Sequence, residues 1–155
     1  MINPILRFRA NIFGEGNEIT LGKGNDMRVL IVEHNEELGR VWSRFLEQRG
    51  LTVEVATSQK AAIANMRFNE FDALVLELVL PDGGAIAISD YATYRFPDIP
   101  IITVTSGSFF SDGSIFQLMP NARGLMRTPF QPDDLAALLE HCSAKEEITV
   151  RKQAG

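Results

Sequence analysis

From Met27 to Cys142, short runs of apolar residues alternate along the chain with stretches of helical periodicity. The run from Val29 to Val32 is typical of a strand that is buried on both faces. Asn35 is then placed to cap a helix, because its side chain can accept a hydrogen bond from the first helical turn. The apolar positions of that helix repeat with the spacing of one helical face, and they are Leu38, Val41, Trp42, Phe45 and Leu46.

The same alternation continues through the rest of this region. Further strands are predicted at residues 51–55, 72–77, 99–105 and 125–127. Further helices are predicted from Ser58 to about Phe68, at 85–95, at 113–119 and from Pro132 to Cys142. Five strands in strict alternation with five helices indicate right-handed crossovers and a parallel sheet that is covered on both faces. The pattern therefore predicts one doubly wound α/β domain over residues 27–142.

Two flanking segments do not follow this alternation. Residues 1–26 are interpreted as an N-terminal extension, and both a β-hairpin arm and a flexible leader remain open for it. Residues 143–155 are predicted to form a polar, solvated C-terminal tail. Because only 13 residues follow Cys142, we expect no effector domain after it and interpret the chain as a stand-alone module.

Charge and composition narrow the classes of function. The net charge is −5, and residues 27–142 carry 9 Lys and Arg against 15 Asp and Glu. Nucleic-acid binding is not expected, because its affinity comes from cationic side chains that neutralise phosphates. No membrane contact is expected either, since no apolar run approaches the ~20 residues of a bilayer span. Cys142 is the single cysteine, so no disulfide forms within the chain, and a cytoplasmic location is expected.

Polar residues stand where the predicted strands end. Glu33 and His34 follow the first strand, and Glu77 ends the third. Thr105 ends the fourth strand and Thr128 follows the fifth. Ligands of open parallel sheets bind at the carboxyl ends of the strands, so these residues are the candidate site. We do not expect an enzyme, because the sequence contains no phosphate-binding glycine motif and no recognisable pair of nucleophile and base.

Four segments at these positions resemble the receiver domain of two-component response regulators. They are Arg28–Glu37, Leu74–Gly83, Ile99–Ser106 and Thr128–Phe130. The resemblance implies a flavodoxin-like, doubly wound five-stranded parallel sheet of order 2-1-3-4-5 with five helices. It also implies a phosphoryl group that passes from a histidine kinase to an aspartate at the end of the third strand. In the family, Mg²⁺ is held beside that aspartate by acidic residues after the first strand.

The sequence departs from the site that the resemblance implies. Glu77 stands at the phosphoacceptor position, and His34 replaces the principal metal-binding aspartate beside Glu33. Thr128 occupies the position of a lysine that contacts the phosphoryl oxygens, and Leu125 occupies that of an aromatic switch residue. We therefore predict an atypical receiver outside the usual phosphoryl cycle, with weak or absent Mg²⁺ binding and no resident metal or cofactor.

Several interpretations of the altered site remain open. Glu77 either mimics the phosphorylated state by reaching toward Thr105, which matches the family's switch hydroxyl, or belongs to a vestigial acidic site. In another interpretation, Glu77 or a nearby carboxylate still accepts a phosphoryl group. In a different class of function, Glu33, His34 and Glu77 bind a metal or a small molecule as a sensor.

The leading interpretation is signalling by protein–protein contact. The expected partner is a histidine kinase, a phosphotransfer protein or a downstream effector, and a homodimer stays open. A surface around Phe109, Phe110, Ile115 and Leu125 is predicted to bind that partner. Two adjacent aromatic residues in a loop cannot both enter one core, and aromatic side chains often anchor interfaces.

Overall fold

The computed structural model describes residues 26–107 and 112–153. The strands are β1 (Arg28–Val32), β2 (Thr52–Ala56), β3 (Ala73–Glu77), β4 (Ile101–Thr105) and β5 (Ala122–Arg127). The helices are α1 (Glu36–Gln48), α2 (Gln59–Phe68), α3 (Ala85–Arg95), α4 (Asp112–Leu118) and α5 (Pro132–Gln153). All strand pairs are parallel and the sheet order is β2-β1-β3-β4-β5, which confirms the predicted fold class.

The sheet separates two apolar clusters, because successive side chains of a strand point to opposite faces. Leu30 and Leu74 belong to a cluster that includes buried residues of α2, α3 and α4. Val29 and Val75 belong to a second cluster that includes buried residues of α1 and α5. The central strands are thus buried on both sides, as their continuous apolar runs predicted. Ligands of such sheets bind at the carboxyl ends of the parallel strands, so the functional residues are expected at that edge.

Helix caps fix where the chain leaves the sheet. Oδ1 of Asn35 accepts a hydrogen bond from the Leu38 N–H at 3.1 Å, which confirms the predicted start of α1. Oγ of Ser58 accepts one from the Ala61 N–H at 3.2 Å and starts α2 as predicted. The residue before the Asn35 cap is His34, so this cap holds the loop that carries the candidate site.

The loop between β3 and α3 is fastened to α2. Oδ2 of Asp82 accepts a hydrogen bond from the Gln59 N–H at 3.1 Å. Gly84, which precedes α3, has a φ of +90°, and its backbone lies close to the side chain of Gln59. The left-handed backbone angle is the feature that requires glycine at this position, since the flexible Gln59 side chain can move aside. These contacts hold the segment that follows Glu77.

Four of the five apolar residues predicted for the inward face of α1 pack against the sheet, and Val41 is the exception. Trp42 is buried as expected, but Val41 is 55% exposed, so its predicted burial was wrong. Gly39 and Ser43 lie on the buried side instead. A Cβ at Gly39 would lie 3.0 Å from Cγ1 of Val55, so the glycine lets α1 approach β2 closely. Apolar periodicity alone gives no weight to a glycine or a serine as an inward-facing residue.

The two chain ends differ in what the structure describes. Of the predicted N-terminal extension, residues 1–25 lie outside the described residues. The last helix runs on to Gln153, whereas the sequence interpretation ended it at Cys142 and assigned the following residues to a solvated tail. Ala, Lys and Glu follow Ser143, and such residues favour a helix without needing an apolar stripe. Among the helices that the structure describes, none combines the length and apolar character needed to cross a membrane.

Candidate functional site

The structure brings three of the candidate residues together at one edge of the sheet. Glu33 and His34 directly follow β1, and Glu77 is the last residue of β3. Strands β1 and β3 are neighbours, with Val32 opposite Leu76, so their carboxyl ends meet. The nitrogen and oxygen atoms that these three side chains offer all lie within 4.8 Å of one another.

His34 binds Glu77 through both its ring and its backbone. Nδ1 of His34 lies 2.5 Å from Oε2 of Glu77, and the His34 N–H donates to the same oxygen at 3.2 Å. Glu77 is buried, whereas the His34 side chain is 44% exposed. The carboxylate of Glu77 is therefore already bound by a side chain from the neighbouring strand end.

Glu33 is a second buried carboxyl group beside this pair. Its Oε1 accepts a hydrogen bond from the Asn35 N–H at 2.9 Å and lies 3.4 Å from Nδ1 of His34. The pKa of Glu33 is raised from 4.5 to about 7, first by burial and then by the hydrogen bond and charge of the neighbouring Glu77. The Asn35 N–H and the charge of His34 lower that pKa and oppose the effect. The carboxyl group of Glu33 is thus held partly protonated near neutral pH.

The pKa of His34 is raised, whereas burial alone lowers the pKa of a histidine. Its hydrogen bond to Glu77 raises the pKa of the imidazole above 6.5, and the charges of Glu77 and Glu33 act in the same direction. Desolvation lowers this pKa and does not overcome the two carboxylates. Protonated His34 therefore supplies positive charge between two buried acidic groups.

Thr105 is fully buried, and its hydroxyl group is engaged by the loop that follows β4. Oγ1 of Thr105 accepts a hydrogen bond from the Gly107 N–H at 3.0 Å and lies 3.4 Å from the Gly107 carbonyl oxygen. The hydrogen bonds of Glu77 go to His34 instead. The two groups that a phosphorylation mimic would join therefore have different partners in this structure.

At the lysine position, the half-buried Thr128 contributes its backbone to the sheet end. The Thr128 N–H donates to the Thr105 carbonyl oxygen at 2.9 Å, and the following peptide bond to Pro129 is cis. The adjacent Arg127 is a cation that the sequence analysis did not single out. Its Nη1 donates to the Gly107 carbonyl oxygen at 3.3 Å. Its position next to the expected lysine was the available signal.

The predicted partner surface needs correction at one residue. Ile115 is only 1% exposed and packs in the core beside Met119, so its assignment to a contact surface was wrong. The physical reason is that Ile115 lies on the inward face of α4, and Met119, which directly follows the helix, packs in the same cluster. Phe116, on the outward face, is 43% exposed.

The remaining residues of that surface are placed less directly. Leu125 is half-buried and packs against the same core cluster as Ile115. Phe109 and Phe110 lie outside the described residues. Leu118 joins Phe116 as an exposed apolar residue of α4.

The donor set does not fit the Mg²⁺ that the family implies. Mg²⁺ prefers oxygen ligands in octahedral geometry, and Glu33 and Glu77 supply such oxygens. His34 places an imidazole nitrogen at the centre of the cluster, where it is a poor magnesium ligand when neutral and repels a cation when protonated. The cluster is therefore a poor binding site for Mg²⁺.

The parallel sheet of order β2-β1-β3-β4-β5, with an acidic cluster at the ends of β1 and β3, defines a domain of the flavodoxin-like fold. The chain belongs to the response regulator receiver domain family, whose family model matches residues 29–140. It is thus a receiver domain of two-component signalling.

Several relatives support this membership. The chain is 30% identical over 126 residues to transcription factor SKN7 of Saccharomyces cerevisiae, covering 81% of this chain and 20% of that protein. It is 25% identical over 135 residues to the transcriptional regulatory protein TcrA of Mycobacterium tuberculosis, covering 87% and 53%. The chain therefore spans about half or less of the length of these curated relatives.

Solved structures agree with the assignment. The non-phosphorylated HemR receiver domain from Leptospira biflexa superposes with a TM-score of 0.67 and is 30% identical, covering 76% of this chain and 94% of that one. A two-component response regulator from Clostridium difficile superposes with a TM-score of 0.70 at 20% identity, covering 78% and 98%. The second likeness shows the fold alone.

Proposed function

We propose that this receiver signals by protein–protein contact without phosphorylation of an aspartate. One observation carries the proposal: the residue at the phosphoacceptor position is Glu77, and its carboxylate is bound by the ring and the backbone of His34. A nucleophilic carboxylate needs a free oxygen aimed at the incoming phosphorus atom. Both contacts from His34 are made to Oε2, so they withdraw one of the two carboxylate oxygens of Glu77 from attack and fix the orientation of the group.

The surrounding charges also disfavour phosphoryl transfer. The transferred group carries negative charge on three oxygens, and metal ions and cationic side chains normally neutralise this charge. Here the lysine position is Thr128, and the metal-binding position is His34. The adjacent cation, Arg127, is directed to the Gly107 carbonyl oxygen. With fewer positive groups at the acceptor, transfer loses much of its electrostatic stabilisation.

The hydrogen bonds favour a vestigial phosphoacceptor over a phosphorylation mimic. A mimic acts through the switch hydroxyl of Thr105, but that hydroxyl is bonded to Gly107 while Glu77 is bonded to His34. The link between His34 and Glu77 instead joins the loop after β1 to the end of β3. We infer that this link holds one arrangement of the site and that output depends on surface contacts.

The proposed contact surface lies around α4 and β5. Phe116 and Leu118 are exposed apolar side chains on α4, and they replace Ile115 in the surface predicted with Phe109, Phe110 and Leu125. A histidine kinase, a phosphotransfer protein or a downstream effector is the proposed class of partner, and self-association is the alternative. We place this function in the cytoplasm, where such partners operate.

A small phosphodonor tests the proposal. Wild-type protein incubated with acetyl phosphate and Mg²⁺ should show no increase in intact mass, whereas His34→Asp/Glu77→Asp/Thr128→Lys should gain one phosphoryl group. Each single substitution should fail, because groups that act as a unit are not additive. Labelling of the wild type on Glu77 or a nearby carboxylate would contradict the proposal and establish phosphoryl transfer instead.

A further inference from the structure

We propose that Glu33, His34 and Glu77 form a binding site for a first-row transition-metal dication, with Zn²⁺ as its representative. The ligands are Nδ1 of His34 and one carboxylate oxygen from each glutamate. This site does not depend on the proposed signalling function, and it departs from the expectation that the chain holds no metal.

The donor chemistry suits a transition metal better than Mg²⁺. Imidazole nitrogen is a preferred ligand of zinc and its neighbours in the first row, and these ions also accept carboxylate oxygen. Because His34 stands where the family has a carboxylate, the site should bind Mg²⁺ more weakly and should prefer a transition metal. One imidazole with two carboxylates leaves a position open, as in zinc sites that bind a water or another ligand.

The separations between the donor atoms are close to those a zinc ion requires. Ligands bound at about 2.1 Å in tetrahedral geometry lie about 3.4 Å apart. Nδ1 of His34 lies 3.4 Å from Oε1 of Glu33 and 2.5 Å from Oε2 of Glu77, and no pair of ligand atoms is separated by more than 4.8 Å. Adjustments of about 1 Å suffice, which rotation of the glutamate and histidine side chains can supply.

The two buried carboxylates of the site also favour a bound cation. Glu33 and Glu77 are 2% and 5% exposed, and their ion pairs among the described residues are both with His34. Two neighbouring buried carboxylates are costly unless a cation or a proton compensates them. A dication bound here displaces to solvent the proton of His34 and any proton of Glu33, and its charge then neutralises both carboxylates, whereas one protonated imidazole neutralises only one.

The metal has a route to the site. The side chain of His34 is 44% exposed, so its ring can turn outward to receive an ion from solvent while the glutamates stay buried. Once bound, the ion connects the loop after β1 to the end of β3 through three ligands. Binding to the folded chain but not to the unfolded one raises the melting temperature.

The test uses the full chain without a polyhistidine tag, freed of metal by a chelator. Calorimetric titration with ZnCl₂ should show one ion per chain, and Zn²⁺ should raise the melting temperature. His34→Gln should weaken Zn²⁺ binding by about tenfold or more, since it removes one of three ligands. Glu77→Gln should weaken it as well, and circular dichroism should show both variants folded.

The matched control is the other histidine of the chain. His141 is exposed on α5 beside Cys142, so His141→Gln removes a histidine from a different place and should leave Zn²⁺ affinity unchanged. Substitution of Co²⁺ gives a second readout, because its visible absorption reports nitrogen and oxygen ligands and a thiolate ligand adds a charge-transfer band. We expect the visible bands without the thiolate band.

Three results would overturn the proposal. The first is wild-type protein that shows no Zn²⁺ binding. The second is His34→Gln protein that binds Zn²⁺ as tightly as the wild type. The third is affinity lost in His141→Gln, or a thiolate band in the Co²⁺ spectrum, either of which places the ion near Cys142 instead. Each result leaves the phosphodonor experiment unaffected, so the two proposals fail separately.

Discussion

Nδ1 of His34 lies 2.5 Å from Oε2 of Glu77, so a basic side chain that follows β1 binds the carboxylate at the end of β3. In the family these two positions carry a metal-binding aspartate and the phosphoacceptor aspartate, as the sequence resemblance implies. Replacement of both residues exchanges a pair that repels for a pair that attracts. A site that needs an external cation thus becomes one with a cation of its own whenever His34 is protonated.

The first prediction concerns Mg²⁺. Because His34 is a poor ligand for this ion, fluorescence of Trp42 should show no saturable change up to about 10 mM Mg²⁺. Trp42 is a suitable reporter, because its ring stacks on that of Phe130 at a centroid separation of 4.9 Å. Phe130 lies two residues after Thr128, at the end of the sheet that carries the site. His34→Asp restores a carboxylate and should gain a response. Saturation of the wild type at low-millimolar Mg²⁺ would show that the histidine does not exclude the ion.

The second prediction concerns the pH dependence of stability in metal-free protein. The folded state raises the pKa of Glu33 from 4.5 to about 7 and also raises that of His34 above 6.5. In both cases the folded chain binds protons more tightly than the unfolded chain. The free energy of unfolding should therefore fall as the pH rises from about 4.5 through neutrality.

Glu77→Gln isolates the source of this pH dependence. It removes the main cause of the raised His34 pKa and one cause of the raised Glu33 pKa, so the fall in stability above pH 6.5 should become shallower. Glu140→Gln, at an exposed position of α5, removes one carboxylate elsewhere and should keep the wild-type slope. Urea titrations at several pH values measure the difference. If the free energy of unfolding falls equally steeply with pH in the wild type and in Glu77→Gln, then Glu77 is not the source of the pH dependence.

The third prediction separates the inward and outward faces of α4. Ile115→Ala removes a fully buried side chain and should lower the free energy of unfolding by about 2–4 kcal/mol. Phe116→Ala removes a larger but half-exposed side chain and should cost no more than about 1 kcal/mol. Chemical denaturation of both variants provides the comparison. A larger loss for Phe116→Ala would reverse the orientation of the helix.

Phe116→Ala also tests whether the exposed side of α4 binds a partner. If the exposed side of α4 contacts a partner, Phe116→Ala should weaken partner binding or self-association while the fold stays intact. Analytical ultracentrifugation at several concentrations measures self-association, and binding to an identified kinase or effector measures partner affinity. Partner binding and self-association equal to those of the wild type in Phe116→Ala would remove this residue from the proposed surface.

Much of the fold follows from local patterns in the sequence. Apolar runs such as Val29 to Val32 specify central strands, and Asn35 and Ser58 mark helix starts through hydrogen bonds within one turn. The order of the strands came from the resemblance, since periodicity does not determine which strands are neighbours. The local signals and the resemblance together predicted the fold class and placed Glu33, His34 and Glu77 at one edge.

The features that were missed depend on contacts between elements. Val41 and Ile115 are both apolar helical residues, but the rotation of each helix on the sheet exposes the first and buries the second. Gly39 decides the first case through its close approach to β2. The pairing of His34 with Glu77 and the direction of Arg127 toward Gly107 are set by side-chain conformations. A sequence pattern identifies such residues but does not specify their partners.

The central claim is that His34 binds Oε2 of Glu77 through its ring and its backbone, and that the site therefore does not accept a phosphoryl group. The most direct test is the ¹H–¹⁵N amide spectrum of the wild type with and without Mg²⁺ and beryllium fluoride, which imitates an acyl phosphate. The account predicts superimposable spectra, while His34→Asp/Glu77→Asp/Thr128→Lys should shift near residues 77 and 105. Saturable shifts of the wild type at Glu33, Glu77 and Thr105 would contradict it.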